Sequence, residues 1–331
     1  MGDAAMSAYS ADALAIDAAA EAARIASAMK SQLVMLRKRG VTLGLSGGVD
    51  SSVCLALAVA AVGRERVFGL LMPEAESDPE SLELGRLVAE TFGVETKIED
   101  IGPALVALGC YARRDAAIRS IAPDYGPGWR FKLAIADTLG ETGYAISTLV
   151  VENPDGLQTR FRLTPEAYRG IVAATNMKQR TRKQIEYYHA DRLNYAVLGT
   201  PNRLEYDQGF FVKNGDGAAD MKPIAHLYKS QVYALAAHLG VPEAIRLRPP
   251  TTDTFPLAQT QEEFYFSLPY ARLDICLHAL NHGICVAEAA AAAELTEDQT
   301  RRVFADISAK RRATRHLHSP PLLVEPVEEI G

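Results

Sequence analysis

Cysteine is scarce in this sequence: Cys54, Cys110, Cys276 and Cys285 are the four in 331 residues, and none forms a C-x-x-C pair. That excludes a disulfide framework and makes a zinc ribbon a poor reading, leaving reduced thiols. An excess of positive charge is also missing. Lys and Arg total 35 against 41 Asp and Glu, a formal charge of −6. This argues against nucleic-acid binding through bulk charge, although local basic patches around phosphates remain open. The longest apolar run, 53–62, is far too short to span a bilayer. The first residues show neither a basic n-region nor a cleavage pattern. The expectation is a soluble cytoplasmic protein with no membrane or nucleic-acid partner. His278 and His282 lie at i,i+4, but no Glu follows the first His, so a zincin motif is absent too.

What is present is ordinary globular material, 48% hydrophobic and 23% charged. The length suits two domains or one large α/β domain with additions. Residues 11–38 are Ala-rich with helical spacing and predict one long amphipathic helix. Short apolar strands at 41–45, 67–72 and 95–99 alternate with helices at 52–62 and 78–92. That alternation predicts a parallel sheet covered on both faces. The middle breaks the rhythm, with strand-like stretches at 144–152 and 157–163 around Asn153-Pro154-Asp155-Gly156, a strong turn signal. A hairpin insertion is expected there. Thr164-Pro165-Glu166 starts a long helix to about Arg192. A strand at 195–199, a helix at 228–239 stopped by Gly240 and Pro242, and a mostly helical stretch from Tyr270 to a Pro-rich tail complete the pattern.

The strongest chemical signal is Ser46-Gly47-Gly48-Val49-Asp50-Ser51-Ser52, set between a strand and a helix. Glycines let backbone approach an anion, and the helix start offers free N–H groups and its positive dipole end. The serine hydroxyls add donors for phosphate oxygens. An acid beside bare phosphate is unfavourable, so Asp50 makes sense as a magnesium ligand. The loop lacks the Gly-Lys-Ser/Thr ending of a Walker A motif, and the two serines after Asp50 sit in no nucleophile elbow. The plainer alternative is an ordinary Gly-rich βα turn.

This segment resembles the pyrophosphate-binding loop of the ATP pyrophosphatase superfamily, enzymes that adenylate a substrate oxygen and then admit a nitrogen or sulfur nucleophile. Three further blocks resemble the ammonia-dependent NAD synthetase family. They are Asn176-Met177-Lys178-Gln179-Arg180, then Gly199-Thr200-Pro201-Asn202-Arg203-Leu204-Glu205, then Lys213-Asn214-Gly215-Asp216-Gly217-Ala218-Ala219-Asp220. Pro223-Ile224, Lys229-Ser230-Gln231, Pro249-Pro250-Thr251 and Gln259-Thr260-Gln261 continue the match, which covers about 43–92 and 176–263.

The resemblance implies a doubly wound parallel α/β sheet of the adenine nucleotide α-hydrolase-like kind, with a β-hairpin insertion and C-terminal helices. It divides the chain into an N-terminal helical segment, 1–40, an α/β domain, 41–265, with its insertion at about 110–165, and a C-terminal segment, 266–331. It assigns ATP to Ser46, Gly47, Gly48, Asp50, Ser51, Ser52, Thr200, Lys229 and Thr251. Magnesium goes to Asp50 and Glu205, and deamido-NAD to Asn176, Arg180, Lys213, Asp220 and, on a weaker match, Lys310. Asp216 falls where ammonia is held and deprotonated, and Lys229 neutralises charge on the ATP phosphates. A homodimer is implied as well. Two departures bear on the carboxylate substrate: Phe264-Tyr265-Phe266 replaces the usual acid and Leu-Gly, and the stretch between 100 and 175 is longer than usual.

The expected activity is therefore amidation of deamido-NAD to NAD through an acyl-adenylate. A divergent ligase acting on another carboxylate is the runner-up, and a nucleotide-binding regulator without turnover is the rival from another class. A fused glutaminase needs a catalytic cysteine and a domain of about 100 residues or more. About 40 residues precede the Gly-rich loop, so free ammonia or a separate glutaminase subunit is the expected nitrogen source.

Overall fold

The computed structural model describes residues 9–134, 148–250, 255–257, 259–266 and 268–328. A short 3-10 turn, Ala11–Leu14, precedes α1 (Ala18–Met35), β1 (Val41–Gly44), α2 (Val49–Val62), β2 (Val67–Leu71), α3 (Pro79–Phe92) and β3 (Glu95–Ile98). Next come α4 (Gly102–Ala107), α5 (Cys110–Arg119), β4 (Arg130–Ala134), β5 (Thr148–Glu152) and β6 (Gln158–Arg162). Then α6 (Pro165–Leu193), β7 (Ala196–Val197), α7 (Arg203–Gln208), α8 (Lys229–His238) and α9 (Glu243–Leu247) follow. The helices α10 (Tyr270–Asn281), α11 (Val286–Ala293) and α12 (Glu297–Thr314) come last.

The first sheet is parallel, in the order β3-β2-β1-β7. Its residues alternate between two cores, as a strand period of two requires. Val67 and Leu71 of β2 join the cluster built by α1, α2, α3 and α8, with Met29, Leu55, Val88 and Leu235 among its members. Phe68 and Leu70 point the other way, onto Ile101, Leu105, Cys110 and the α6 residues Met177 and Ile185. Both faces are covered, so the expected doubly wound sheet is the one observed.

Local signals placed most boundaries. Asp78 caps α3 by accepting from Glu80 N at 3.0 Å, and Thr164 caps α6 by accepting from Ala167 N at 3.2 Å. Two expectations need correction. The single helix over 11–38 is split, because Asp17 accepts from Ala19 N and Ala20 N and starts α1 afresh. The helix expected from Ser52 begins three residues earlier, at Val49, so Asp50 sits in its first turn.

The hairpin β5–β6 closes over Asn153, whose Oδ1 accepts from Asp155 N and Leu157 N at 3.1 and 2.8 Å. It is one part of a three-stranded sheet, since β4 pairs antiparallel with β5. Phe131 and Leu133 of β4 face a core of Ile118, Tyr125, Leu149, Val151 and Ile171, an alternation that the sequence reading passed over. Residues 144–147 of the expected hairpin lie outside the described residues. Beyond half-buried Asn153 the turn is exposed, and it carries no acid–base pair. Replacing 153–156 with a short Gly-Ser turn should leave pyrophosphate release unchanged; loss of release in a folded variant would make the turn part of the active site.

Candidate active site

The chain runs from β1 outward to β2 and β3 and later returns on the other side of β1 with β7. The carboxyl ends of strands at such a reversal leave a crevice in which ligands bind. Two loops meet there, one after β1 and one after β7.

The first loop is shaped for close approach. Gly47 has φ +73°, and a Cβ on it would come within 2.5 Å of Ser81 O in α3, so neither its conformation nor its space admits a side chain. Gly48 is the N-cap of α2 and gives its first turn no side-chain acceptor. The opening N–H groups and the positive helix end are therefore left available to an anion. Ser51 and Ser52 donate to Gly48 O at 3.0 and 2.9 Å, bracing the turn from beneath. Ser46 is exposed at the rim, with its Oγ 3.1 Å from that of Ser51.

The second loop brings the acids together. Asn202 and Glu205 form a capping box at the start of α7: Asn202 N donates to Glu205 Oε2 at 3.0 Å, and Glu205 N donates to Asn202 Oδ1 at 3.2 Å. The Asn202 amide is fully buried and also donates to Asp50 Oδ1 at 3.2 Å. Lys229, 1% exposed at the first position of α8, donates its Nζ to Asp50 Oδ2. Its ammonium lies 5.4 Å from the ring centre of Tyr270 and 5.9 Å from that of Tyr233. Burial pulls the Lys229 pKa down, but the carboxylates of Asp50 and Glu205 more than offset this and leave it raised. Glu205 is pushed up to about 8 by its own burial and then by the charge of Asp50, with Lys229 opposing.

These features fit a magnesium ion. The donors are hard oxygens, and two adjacent carboxylates resist joint ionisation until another positive charge arrives. Among the described residues no group of three or more His, Cys, Asp and Glu could hold a metal. Phosphate oxygens and water would complete the shell, as magnesium prefers. Thr200 is half-buried just beyond β7. Thr251 lies outside the described residues.

Helix α6 runs beneath the neighbouring loop. Arg180 donates to Lys213 O at 3.3 Å, and Lys213 donates to His316 O and Ser319 O at 2.9 and 3.2 Å. Lys213 thus ties the chain after α12 to one wall of a cleft of about 310 Å³. Half-buried Asp216 accepts from Val212 N at 2.7 Å. Removal from water raises its pKa, while that hydrogen bond and the nearby Lys183 and Arg182 pull it back. Lys183 in turn pairs with buried Glu186 at 2.6 Å. Asp220 holds the sheet edge, accepting from Val197 N at 2.7 Å and Tyr187 OH at 3.4 Å. Asn176 is half-buried on α6.

Lys310 is placed differently. It donates to Tyr265 O at 2.6 Å, pairs with Asp306 at 2.7 Å and lies over the Tyr265 ring. None of these partners belongs to the sheet edge. Sequence reasoning gave no role to Asn202, although N-x-x-E before an apolar residue is a legible capping signal. It also missed Tyr233 and Tyr270, for which no local signal exists.

A parallel sheet reversing beside a Gly-rich loop is the architecture of the adenine nucleotide α-hydrolase-like class. The NAD synthase family model matches residues 21–121 and 147–318. This chain belongs to the NAD synthase family. It is 70% identical over 322 residues to the NH3-dependent NAD+ synthetase of Rhizobium meliloti, covering 97% of this chain and 96% of the relative. Identity to the Thermotoga maritima enzyme of that name is 36% over 253 residues, covering 76% and 84% of the two chains. Among solved structures, an NH3-dependent NAD synthetase from Campylobacter jejuni superposes with a TM-score of 0.60 at 22% identity, covering 94% of this chain and all of the other. An NMN synthetase from Francisella tularensis gives 0.65 at 21%, covering 93% and 99%. At those identities the two structures speak for the fold alone.

Proposed function

We propose that this chain is an ammonia-dependent NAD synthetase that converts deamido-NAD to NAD at the edge formed by the β1 and β7 loops. A carboxylate is a poor acyl donor, so it must first acquire a leaving group. Its oxygen attacks the α-phosphorus of ATP, an acyl-adenylate forms and pyrophosphate departs. Ammonia then attacks the acyl carbon, AMP leaves with the carboxylate oxygen, and the nitrogen loses its surplus proton to Asp216. The observation that carries this reading is half-buried Asp50 joined to the buried Asn202, Glu205 and Lys229 beside a helix start suited to an anion.

Magnesium would be held by Asp50 and Glu205 and would supply neutralising charge to the ATP phosphates. Ser46, Gly47, Gly48, Ser51, Ser52 and Thr200 would orient those phosphates, with Lys229 countering the charge that builds up as pyrophosphate departs. Lys213 on the cleft wall, Arg180 bonded to its carbonyl, Asp220 and Asn176 would contact the dinucleotide. A homodimer in the cytoplasm completes the proposal. Among the described residues no helix is long and apolar enough to cross a membrane.

The test is pyrophosphate release with ATP, magnesium, ammonium and deamido-NAD, run beside a panel of other carboxylates that includes mononucleotides. Preference for deamido-NAD is expected, and a better substrate elsewhere in the panel would overturn the assignment. Turnover with ammonium salts should also rise from mildly acidic to mildly alkaline pH. Two effects share that sign: more ammonia is unprotonated, and the raised Asp216 carboxyl becomes fully ionised. Equal turnover with glutamine by the purified chain alone would contradict the ammonia assignment.

A further inference from the structure

Helix α8 begins with Lys229, yet its N-cap residue, Tyr228, supplies no side-chain hydrogen bond to the helix start. The acceptor comes from 45 residues further along the chain. Asp274, on α10 and fully buried, accepts from Lys229 N through Oδ1 at 3.2 Å and from Ser230 N through Oδ2 at 2.7 Å. A carboxylate taking two free N–H groups at a helix N-terminus satisfies orphan donors and the positive helix end together. Removing a carboxylate from water is costly, and α10 holds Asp274 among Leu273, Ile275, Cys276 and Leu277, all buried. A capping serine or asparagine within the loop would have served helix stability at less cost.

The same helix touches Lys229 at its other end. Tyr270 lies one turn before Asp274, and its ring faces the Lys229 ammonium. Tyr270 is itself tied down, through its hydroxyl to Gln261 and through its backbone N–H to Glu262 Oε1 at 3.0 Å. Helix α10 thus grips Lys229 at the backbone with Asp274 and at the amine with Tyr270. We infer that Asp274 is a positioning residue for adenylation, holding the start of α8 so that the Lys229 ammonium meets the reacting phosphate. This rests on the role given to Lys229 above. It brings a helix of the C-terminal segment into the chemistry without any contact between Asp274 and substrate.

The test is a double-substitution cycle on the full chain, with Asp274→Ala and Asp274→Asn each made alone and in a Lys229→Ala background. Steady-state pyrophosphate release and calorimetric binding of Mg·ATP are measured for every variant, with Tm as a control. A displacement of about 1 Å can cost about 100-fold in rate, so Asp274→Ala should lower kcat by about that factor with little change in the KM for ATP. Asn keeps one acceptor oxygen and the side-chain shape but turns an NH2 donor toward the other backbone N–H, so it should recover part of that loss. In the Lys229→Ala background, Asp274→Ala should cause no further fall, because the group it positions is gone. An equal fall in both backgrounds would reduce Asp274 to a structural cap and overturn the inference, as would a folded Asp274→Asn variant no better than a folded Ala variant. If Ala fails to fold, the Asn cycle decides alone: a few-fold loss confined to the Lys229 background supports the inference, and a loss shared by both backgrounds or by neither overturns it. If the unsubstituted chain releases no pyrophosphate with any carboxylate, the functional reading fails. The inference falls with that reading, whereas an active parent whose Asp274 loss is the same with and without Lys229 overturns the inference alone.

Discussion

Asp50→Asn and Glu205→Gln should each lower pyrophosphate release by about 1,000-fold or more while the protein stays folded. Each replaces a charged oxygen by a neutral amide of almost the same volume, and several kcal/mol of charge stabilisation at the reacting phosphates is lost with it. The Glu205 change carries a second signature. Its carboxyl titrates at about 8 in the folded chain against 4.5 for an ordinary glutamate. Between those values the native state holds a proton that the unfolded chain has released, so stability falls as pH rises through the interval. Below it the contribution is fully present. Glu205→Gln should therefore raise the Tm of the metal-free protein at about pH 9 by several degrees, since Gln keeps the acceptor for Asn202 N without the charge. Magnesium should raise the Tm of the parent and leave the variant nearly unmoved. Near-normal release by either variant, or equal magnesium stabilisation of parent and Glu205→Gln, would remove these residues from the metal site.

Lys229→Met should lower the rate of pyrophosphate release by about 100- to 1,000-fold, the range for deleting one preorganised charge donor at a reacting group. The KM for ATP should change much less, because the ammonium acts chiefly on charge that develops as the bond to pyrophosphate breaks. Stability should fall as well. The lysine is buried, but Asp50 keeps 17% of its side chain exposed, so the loss should fall below the cost of about 3–5 kcal/mol for breaking a fully buried pair. Magnesium should restore part of that loss by giving Asp50 a new partner, an effect visible as a larger magnesium-induced rise in Tm than the parent shows. Lys229→Arg should rescue poorly, since a planar fork does not replace a compact ammonium between Tyr233 and Tyr270. A kcat within tenfold of the parent for Lys229→Met would exclude an electrostatic role in adenylation.

Much of the frame was legible because its signals are local. Apolar runs at 41–45 and 67–72 separated by a helical pattern read as buried parallel strands, and Gly47-Gly48 between strand and helix pointed to a phosphate edge. Thr164-Pro165-Glu166 announced α6, and Asn153 to Gly156 announced the hairpin turn. β4 escaped because its alternation rests on only two apolar positions, Phe131 and Leu133, and the strand is stabilised chiefly by its partner β5. The start of α2 escaped as well. The glycines suggested a longer turn than the one Gly48 makes, and the shift moves Asp50 onto the helix.

The roles assigned to Glu205, Asp216 and Lys229 came from motif resemblance, while Asp50 also read as a metal ligand because it is an acid in a phosphate loop. Their meeting depends on strand order: β1 and β7 become neighbours across more than 150 residues of chain, and nothing local encodes that pairing. Asn202 bridging Asp50 to Glu205, and Asp274 capping Lys229 from α10, exist only after the sheet has closed and the C-terminal helices have packed. The physical reason is the range of the forces involved. Hydrophobic period, turn preference and helix capping act within a few residues and are written in the sequence. The depressed polarity that raises Glu205, the ion pair of Lys229 with Asp50 and the use of Lys213 to hold residues 316–319 depend on burial and on partners distant in the chain, and only the tertiary structure supplies those.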